Sequence, residues 1–199
     1  MVISEIEQTS PGVCKVTPEG ESAFFLRTQY LSHLDEKALL SASYLNEEQS
    51  FDVLNAALIY SVETAAMSYL ARAEQCRSGL TAKLERKGMN RKSIQIALDY
   101  LEEVGYLDDS RFAGAWLRSR SIDHTEGRIR LAAELALRGI RGNVARRALD
   151  EFFTEHDELE LCRKAYSKCA SFSHDGAQIA RALQRKGFSL WEIKSVLNA

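Results

Sequence analysis

The stretch Leu80-Thr81-Ala82-Lys83-Leu84-Glu85-Arg86-Lys87-Gly88-Met89 recurs without gaps as Leu131-Ala132-Ala133-Glu134-Leu135-Ala136-Leu137-Arg138-Gly139-Ile140. It recurs again as Ile179-Ala180-Arg181-Ala182-Leu183-Gln184-Arg185-Lys186-Gly187-Phe188. Every copy has a leucine four residues before a glycine, a basic residue immediately before it and an apolar residue immediately after it. A glycine closing a helical run is a C-cap signal, because glycine enters the left-handed conformation without a Cβ penalty. Each copy therefore predicts one helix with a fixed stop, and the chain contains it three times.

On the C-terminal side of each glycine stands a polar residue, Asn90, Arg141 or Ser189, and then a second apolar period. Its positions are Ile94, Ala97, Leu98 and Leu101, then Val144, Ala148, Leu149 and Phe152, then Trp191, Ile193, Val196 and Leu197. On the N-terminal side, apolar residues at three-and-four spacing predict a first helix in each unit, over 48–75, 109–121 and 156–170. The first of these carries Phe51, Val53, Leu54, Ala57, Leu58 and Val62. The expected fold is mainly α: three tandem three-helix repeats over 48–105, 106–155 and 156–199. A repeat of this period predicts an elongated array in which each unit touches its neighbours, suited to an elongated partner.

Residues 1–47 read differently. Val2, Ile3 and Ile6, then Val13 and Val16, then Phe24, Phe25 and Leu26 are short apolar runs separated by Ser10-Pro11-Gly12 and Pro18-Glu19-Gly20-Glu21. Such punctuation predicts a small β-meander of two or three strands, too small to stand alone and expected to pack on a helix. A short helix follows at Asp35 to Leu40, and a loop from Ser41. Pro11 and Pro18 are the only prolines, which leaves the rest of the chain free of the strongest helix breaker.

At 199 residues, 45% hydrophobic and 27% charged, the composition is that of a folded protein and excludes wholesale disorder. No basic run followed by an apolar core opens the chain and no membrane-length apolar stretch follows, so a cytoplasmic location with no membrane partner is expected. Cys14, Cys76, Cys162 and Cys169 form no CxxC pair and are expected as reduced thiols, with Cys162 and Cys169 on one helical face. His33, His124, His156 and His174 share no ligand spacing. No phosphate-binding loop, nucleophile elbow or metalloprotease motif is present, so the reading is of a binding protein rather than an enzyme, with no metal or cofactor.

Charge is unevenly placed. Residues 1–75 carry 4 Lys and Arg against 11 Asp and Glu, a balance of −7; residues 76–147 carry 15 against 9, +6; residues 148–199 carry 7 against 8, −1. A basic centre beside an acidic N-terminal third predicts a polyanionic or acidic partner for the middle of the chain. An intramolecular contact between the two would make residues 1–47 a brake on DNA binding.

The residues Tyr69-Leu70, Arg77-Ser78, Lys83-Leu84-Glu85-Arg86-Lys87-Gly88 and Gly105-Tyr106-Leu107-Asp108-Asp109-Ser110-Arg111-Phe112-Ala113 together resemble the RecX family of RecA regulators. Arg118-Ser119-Arg120, Gly127-Arg128-Ile129-Arg130, Glu134-Leu135 and Arg138-Gly139-Ile140 extend the resemblance, which covers roughly 65–199. Where the family has Gly-Pro-Arg-Arg-Ile, this chain has Glu126-Gly127-Arg128-Ile129-Arg130; where it has Arg-Pro-Arg-Ser, this chain has Glu74-Gln75-Cys76-Arg77-Ser78. The resemblance implies stacked three-helix repeats lying in the groove of a RecA filament on single-stranded DNA. It further implies modulation, usually inhibition, of ATPase, strand-exchange and co-protease activity.

Two sets of cations are candidates for that contact. Arg118 and Arg120 leave one helix and Arg128 and Arg130 enter the next, which predicts a guanidinium cluster suited to phosphates or carboxylates. The alternative is that Arg118 pairs with Asp108 or Asp109 while Arg120 is merely solvated. The second set repeats between units: Lys83, Arg86 and Lys87, then Arg138 and Arg141, then Arg181, Arg185 and Lys186. These form either a basic track or a complement to helix dipoles. Asp109 is expected as an N-cap with Asp108 adding charge beside it, Tyr106 and Leu107 as filling for the joint between repeats, and Phe112 and Trp116 as core. The partners expected are a RecA-type filament and, open beside it, single- or double-stranded DNA, with this chain a monomer. The competing readings are an independent helical DNA binder and a helical protein–protein scaffold.

Overall fold

The computed structural model describes residues 1–40, 42–172 and 175–198, so Ser41 and His174 lie outside it. Three strands, β1 (Ile3–Ser10), β2 (Val13–Pro18) and β3 (Phe24–Arg27), form an antiparallel meander in that order. Gly12, at φ +71°, turns β1 into β2, with Ile6 opposite Val16 and Cys14 opposite Leu26. A 3-10 turn (Thr28–Tyr30) and a short helix, α1 (Glu36–Leu40), lead to α2 (Glu47–Leu70), 24 residues long. Asn46 and Gln49 close a reciprocal capping box at its start, which fixes where α2 begins.

α3 (Arg77–Arg86) and α4 (Arg91–Glu103) follow. Each ends at a predicted glycine, Gly88 at φ +78° and Gly105 at φ +76°. The turn that the repeat predicts is present three times. The amide of Met89 reaches the carbonyl of Leu84, Ile140 that of Leu135 and Phe188 that of Leu183, while each glycine amide bonds one residue further along. This is the Schellman arrangement, with an apolar residue after the glycine in each case.

The chain divides into two compact units. The first comprises 1–73 and 80–107. Its core joins sheet to helices: Ile3, Cys14, Val16, Leu26 and Leu39 are buried with Val53, Ile59, Leu84, Leu98 and Leu101. Two buried carboxylates on α2 are fully used. Asp52 accepts the amides of Ser32 and His33, and Glu63 accepts from Arg27 and from the hydroxyl of Tyr30. The Arg27 guanidinium also lies 4.5 Å from the centre of the Tyr100 ring. The N-terminal strands are thus anchored to α2 by buried polar links as well as by apolar contact.

The second unit comprises 74–79 and 108–199. It contains α5 (Asp109–Asp123), α6 (Arg128–Leu137), α7 (Gly142–Glu155), α8 (Glu158–Ala170), α9 (Gly176–Arg185) and α10 (Leu190–Leu197). One core gathers Cys76, Ala113, Leu117, Leu131, Leu135 and Phe152; another gathers Cys162, Ala165, Ile179, Leu183 and Phe188. The two sets of helices meet at a backbone crossing. The carbonyls of Lys186 and Gly187 accept from the amides of Gly127 and Ile129, 2.9 and 3.2 Å away. The N-terminus of α6 has no side-chain cap, and these carbonyls from the α9–α10 turn take its place.

Several sequence expectations change. Asp108, not Asp109, caps α5, accepting the amides of Ser110 and Arg111; Asp109 accepts the amide of Arg77 at 2.8 Å. Tyr106 is 55% exposed, and only Leu107 is buried, in the first core. Phe51, Leu54 and Leu58 point outward rather than into the core. α8 begins at Glu158 with Asp157 as its cap, two residues later than expected, because Asp157 supplies the acceptor that His156 lacks.

Candidate functional site

The four arginines around the α5–α6 connection fall into two groups. Arg120 holds Glu126 with two parallel bonds of 2.8 and 3.0 Å, and both side chains are largely buried, 25% and 12% exposed. Arg130 reaches Glu134 at 2.7 Å and approaches Glu126 at 3.9 Å. Arg128 bonds Asp150 at 2.6 Å and Glu158 at 2.8 Å, with its guanidinium 4.7 Å from the Phe153 ring centre. Arg138 joins the network through Glu134 at 2.9 Å and lies 4.5 Å from the Trp116 ring centre, which Arg120 approaches at 5.8 Å.

These guanidiniums are neutralised in place. Hydrogen bonds from Arg120 hold the Glu126 carboxyl below its ordinary range, and those from Arg138 do the same for Glu134. The alternative reading, with Arg118 paired to Asp108 or Asp109 and Arg120 solvated, is reversed here: Arg120 is the paired one. Arg118 is exposed and, among the described residues, has no carboxylate partner; it lies over Gly114, beside a shallow cavity of about 390 Å³ lined also by Ser110, Arg111 and Glu151.

The repeated cations divide in the same way. Lys83 and Lys87 stand 5.3 and 5.1 Å from the Tyr69 ring centre, and Arg86 donates back to the carbonyl of Ala82. Arg141 is exposed at the start of α7 and forms no side-chain cap. On α9, Arg181 and Arg185 are exposed, Lys186 at its C-cap is half-buried, and none has a carboxylate partner among the described residues. Together with Lys168 and Gln178 they line two shallow depressions of about 500 and 590 Å³. Among the candidate cations, those without a carboxylate partner in the described residues are Arg181, Arg185 and Lys186 toward the end of α9, Arg86 and Lys87 at the end of α3, and Arg118 and Arg141 as single points. The sequence could not show this, because the neutralising carboxylates include Glu126, Asp150 and Glu158, which stand 6, 22 and 30 residues away from the arginines they hold.

Among the described residues no group of three or more His, Cys, Asp or Glu converges as a metal site, and no helix is long and apolar enough to cross a membrane. The four cysteines are free; burial pushes the Cys162 thiol up to about 11, so it is an inert core residue.

Residues 108–149, which span α5, α6 and half of α7, match the family model for the second three-helix domain of RecX. The "Regulatory protein RecX" of Treponema pallidum (strain Nichols) is 36% identical over 143 residues, covering 72% of this chain and 87% of that protein. The chain belongs to the RecX family. The "Regulatory protein RecX" of Halorhodospira halophila is 32% identical, over 69% of this chain and 87% of its own length. A crystal structure of regulatory protein RecX superposes over the whole chain and 99% of its own with a TM-score of 0.80 at 21% identity, a likeness of fold. The structure of RecX from Lactobacillus salivarius covers 71% of this chain and 95% of its own at a TM-score of 0.63 and 24% identity. RecX membership and the repeat fold thus agree, and the RecX relatives support a regulatory role.

Proposed function

We propose that this RecX-family chain acts on a RecA-type recombinase by binding in the groove of the filament on single-stranded DNA. There it acts as a negative modulator of ATPase, strand exchange and co-protease activity, working by binding rather than catalysis. The observation that carries this reading is membership of a family of regulatory proteins across most of the chain, joined to free cations on successive repeats. A set of repeats contacting neighbouring protomers gains avidity from each added contact and holds them against the motions of turnover. Arg86, Lys87, Arg118, Arg141, Arg181, Arg185 and Lys186 are residues available to acidic filament surface or DNA phosphates. Arg120, Arg128, Arg130 and Arg138 serve chiefly to hold the second repeat in shape.

The test is RecA ATPase and strand exchange on single-stranded DNA, titrated with the full chain and with two variants, Arg118→Ala/Arg141→Ala and Arg181→Ala/Arg185→Ala/Lys186→Ala. Inhibition at substoichiometric protein is expected, with potency lowered about tenfold or more in the α9 variant and less at higher salt in every case. No effect on the filament, with salt-sensitive binding of free DNA, would replace this reading with that of an independent DNA binder. Inhibition unaltered in both variants and insensitive to salt would make the chain a scaffold whose cations are incidental.

A further inference from the structure

α2 is apolar on two sides. Its inner face, Asp52, Val53, Ala56, Ile59, Val62, Glu63 and Ala66, is buried in the first unit. On its outer face Phe51, Leu54 and Leu58 are 73%, 47% and 61% exposed. Continuing at the same alternating spacing of three and four come Ser61 and Ser68, both exposed, and between them Ala65, which is half-buried at the edge of the first core. The outer face is thus a coiled-coil seam, in which positions a and d read Phe51, Leu54, Leu58, Ser61, Ala65 and Ser68. All the buried inner residues except Val62, which flanks the seam, fall at the positions such a seam directs away from a partner.

The seam is bulky in its N-terminal half and small in its C-terminal half. Two copies laid antiparallel place Phe51 against Ser68, Leu54 against Ala65 and Leu58 against Ser61, each a against a d, so that every layer pairs a large side chain with a small one. A parallel pair would set Phe51 on Phe51 and leave hollows at the serines. Beyond these layers the same antiparallel direction brings Glu47, the first residue of α2, toward Arg72, in the turn just past its C-cap Ala71; both are exposed and of opposite charge. A parallel pair would instead oppose Glu47 to Glu47. Between Lys37 and Arg72 the chain has no cation, so Arg72 is the nearest positive charge to the seam on its C-terminal side. The hydroxyls of Ser61 and Ser68 already donate to the carbonyls of Leu58 and Ala65, both at 2.7 Å, so burying them strands no donor.

We infer that α2 is a self-association surface, and that two copies of this chain pair through it as an antiparallel, two-fold symmetric helix dimer. The occupant is a second copy, because size complementarity runs through three layers of one sequence in one register and opposite charges, Glu47 and Arg72, stand at the ends of the same arrangement. The seam from Phe51 to Ser68 is about 27 Å long at the α-helical rise, a small interface, and a dimer in the micromolar range is the expected outcome. Such a dimer departs from the monomer expected from the sequence.

Sedimentation equilibrium of the full chain from about 1 to about 200 µM tests this. A monomer–dimer equilibrium is expected, weakened about tenfold or more by Leu54→Lys or Leu58→Lys with the helical circular dichroism unchanged. Glu47→Arg and Arg72→Glu should each weaken it by a few-fold to about tenfold, and the double variant E47R/R72E should restore it. A monomer throughout the range overturns the inference, as does a dimer indifferent to Leu58→Lys. A charge-swapped double variant no tighter than the single ones also overturns it, leaving the seam to a foreign helix. None of these outcomes bears on whether the filament is inhibited.

Discussion

Arg118 and Arg120 stand two residues apart on α5, yet their substitution should have opposite consequences. Arg120→Ala strands the largely buried Glu126 carboxylate, with only the 3.9 Å approach of Arg130 remaining, and should cost about 1–3 kcal/mol in chemical denaturation. Arg118→Ala removes an exposed guanidinium without a carboxylate partner and should change stability by no more than about 0.5 kcal/mol. The paired carboxylates also set an acid limit. Glu126 and Glu134 are both lowered from an ordinary value of 4.5 in the folded state, so their stabilising contribution is complete above about pH 4.5. It is lost as pH falls through the lowered values, where the folded state must take up the protons the unfolded chain has already bound. In E126Q/E134Q this acid-dependent loss should be smaller, seen as urea midpoints that converge with those of the unsubstituted chain between about pH 7 and about pH 3. Parallel midpoint curves would locate the acid sensitivity elsewhere.

The repeated helix-glycine-turn element was legible because everything that defines it lies within ten residues: the leucine that receives the turn's bond, the glycine and the apolar residue after it. What the element does next was not legible, since it depends on which backbone approaches the turn. Gly88 has open space where a Cβ would stand, whereas a Cβ on Gly139 would press on Ser78 and one on Gly187 would collide with the Arg130 backbone. All three share a positive φ, so Gly→Ala carries a common conformational cost of about 1 kcal/mol or more. Gly88→Ala should show only that cost, while Gly187→Ala should lose several times as much by breaking the crossing that caps α6. Thermal melts of the three single variants, ranked Gly88, Gly139, Gly187 in increasing loss, would check this. For the same reason Asp108 and Asp109 could not be assigned correctly from the chain: the choice turns on the amide of Arg77, 32 residues away.

At the scale of the whole molecule, the repeat register and the N-terminal meander were readable from apolar spacing and Gly-Pro punctuation. The assignment of residues 74–79 to the second unit was not, because Cys76 is buried among side chains of 113–152, far along the sequence. Nor did the acidic N-terminal third reveal how firmly it is built in. Ile3, Cys14, Val16, Leu26 and Tyr30 complete the core that α2 and α4 line, and Arg27 and Tyr30 satisfy the otherwise buried charge of Glu63. Deleting residues 1–47 therefore uncovers one face of α2 and strands two carboxylates, rather than releasing a separable brake. In hydrogen exchange the truncated chain should lose protection across α2 and α4 while keeping it in α5 to α10, since the second unit has cores of its own; retained protection in α2 would mark the sheet as an accessory. The electrostatic brake has to be tested on the folded protein, by Glu→Gln at the exposed Glu5, Glu7, Glu19 and Glu21. If the negative strands repel or mask phosphate, this fourfold variant should bind single-stranded DNA severalfold tighter at low salt, with the gain fading as salt rises. An affinity unchanged at every salt concentration would assign the N-terminal third to stability alone.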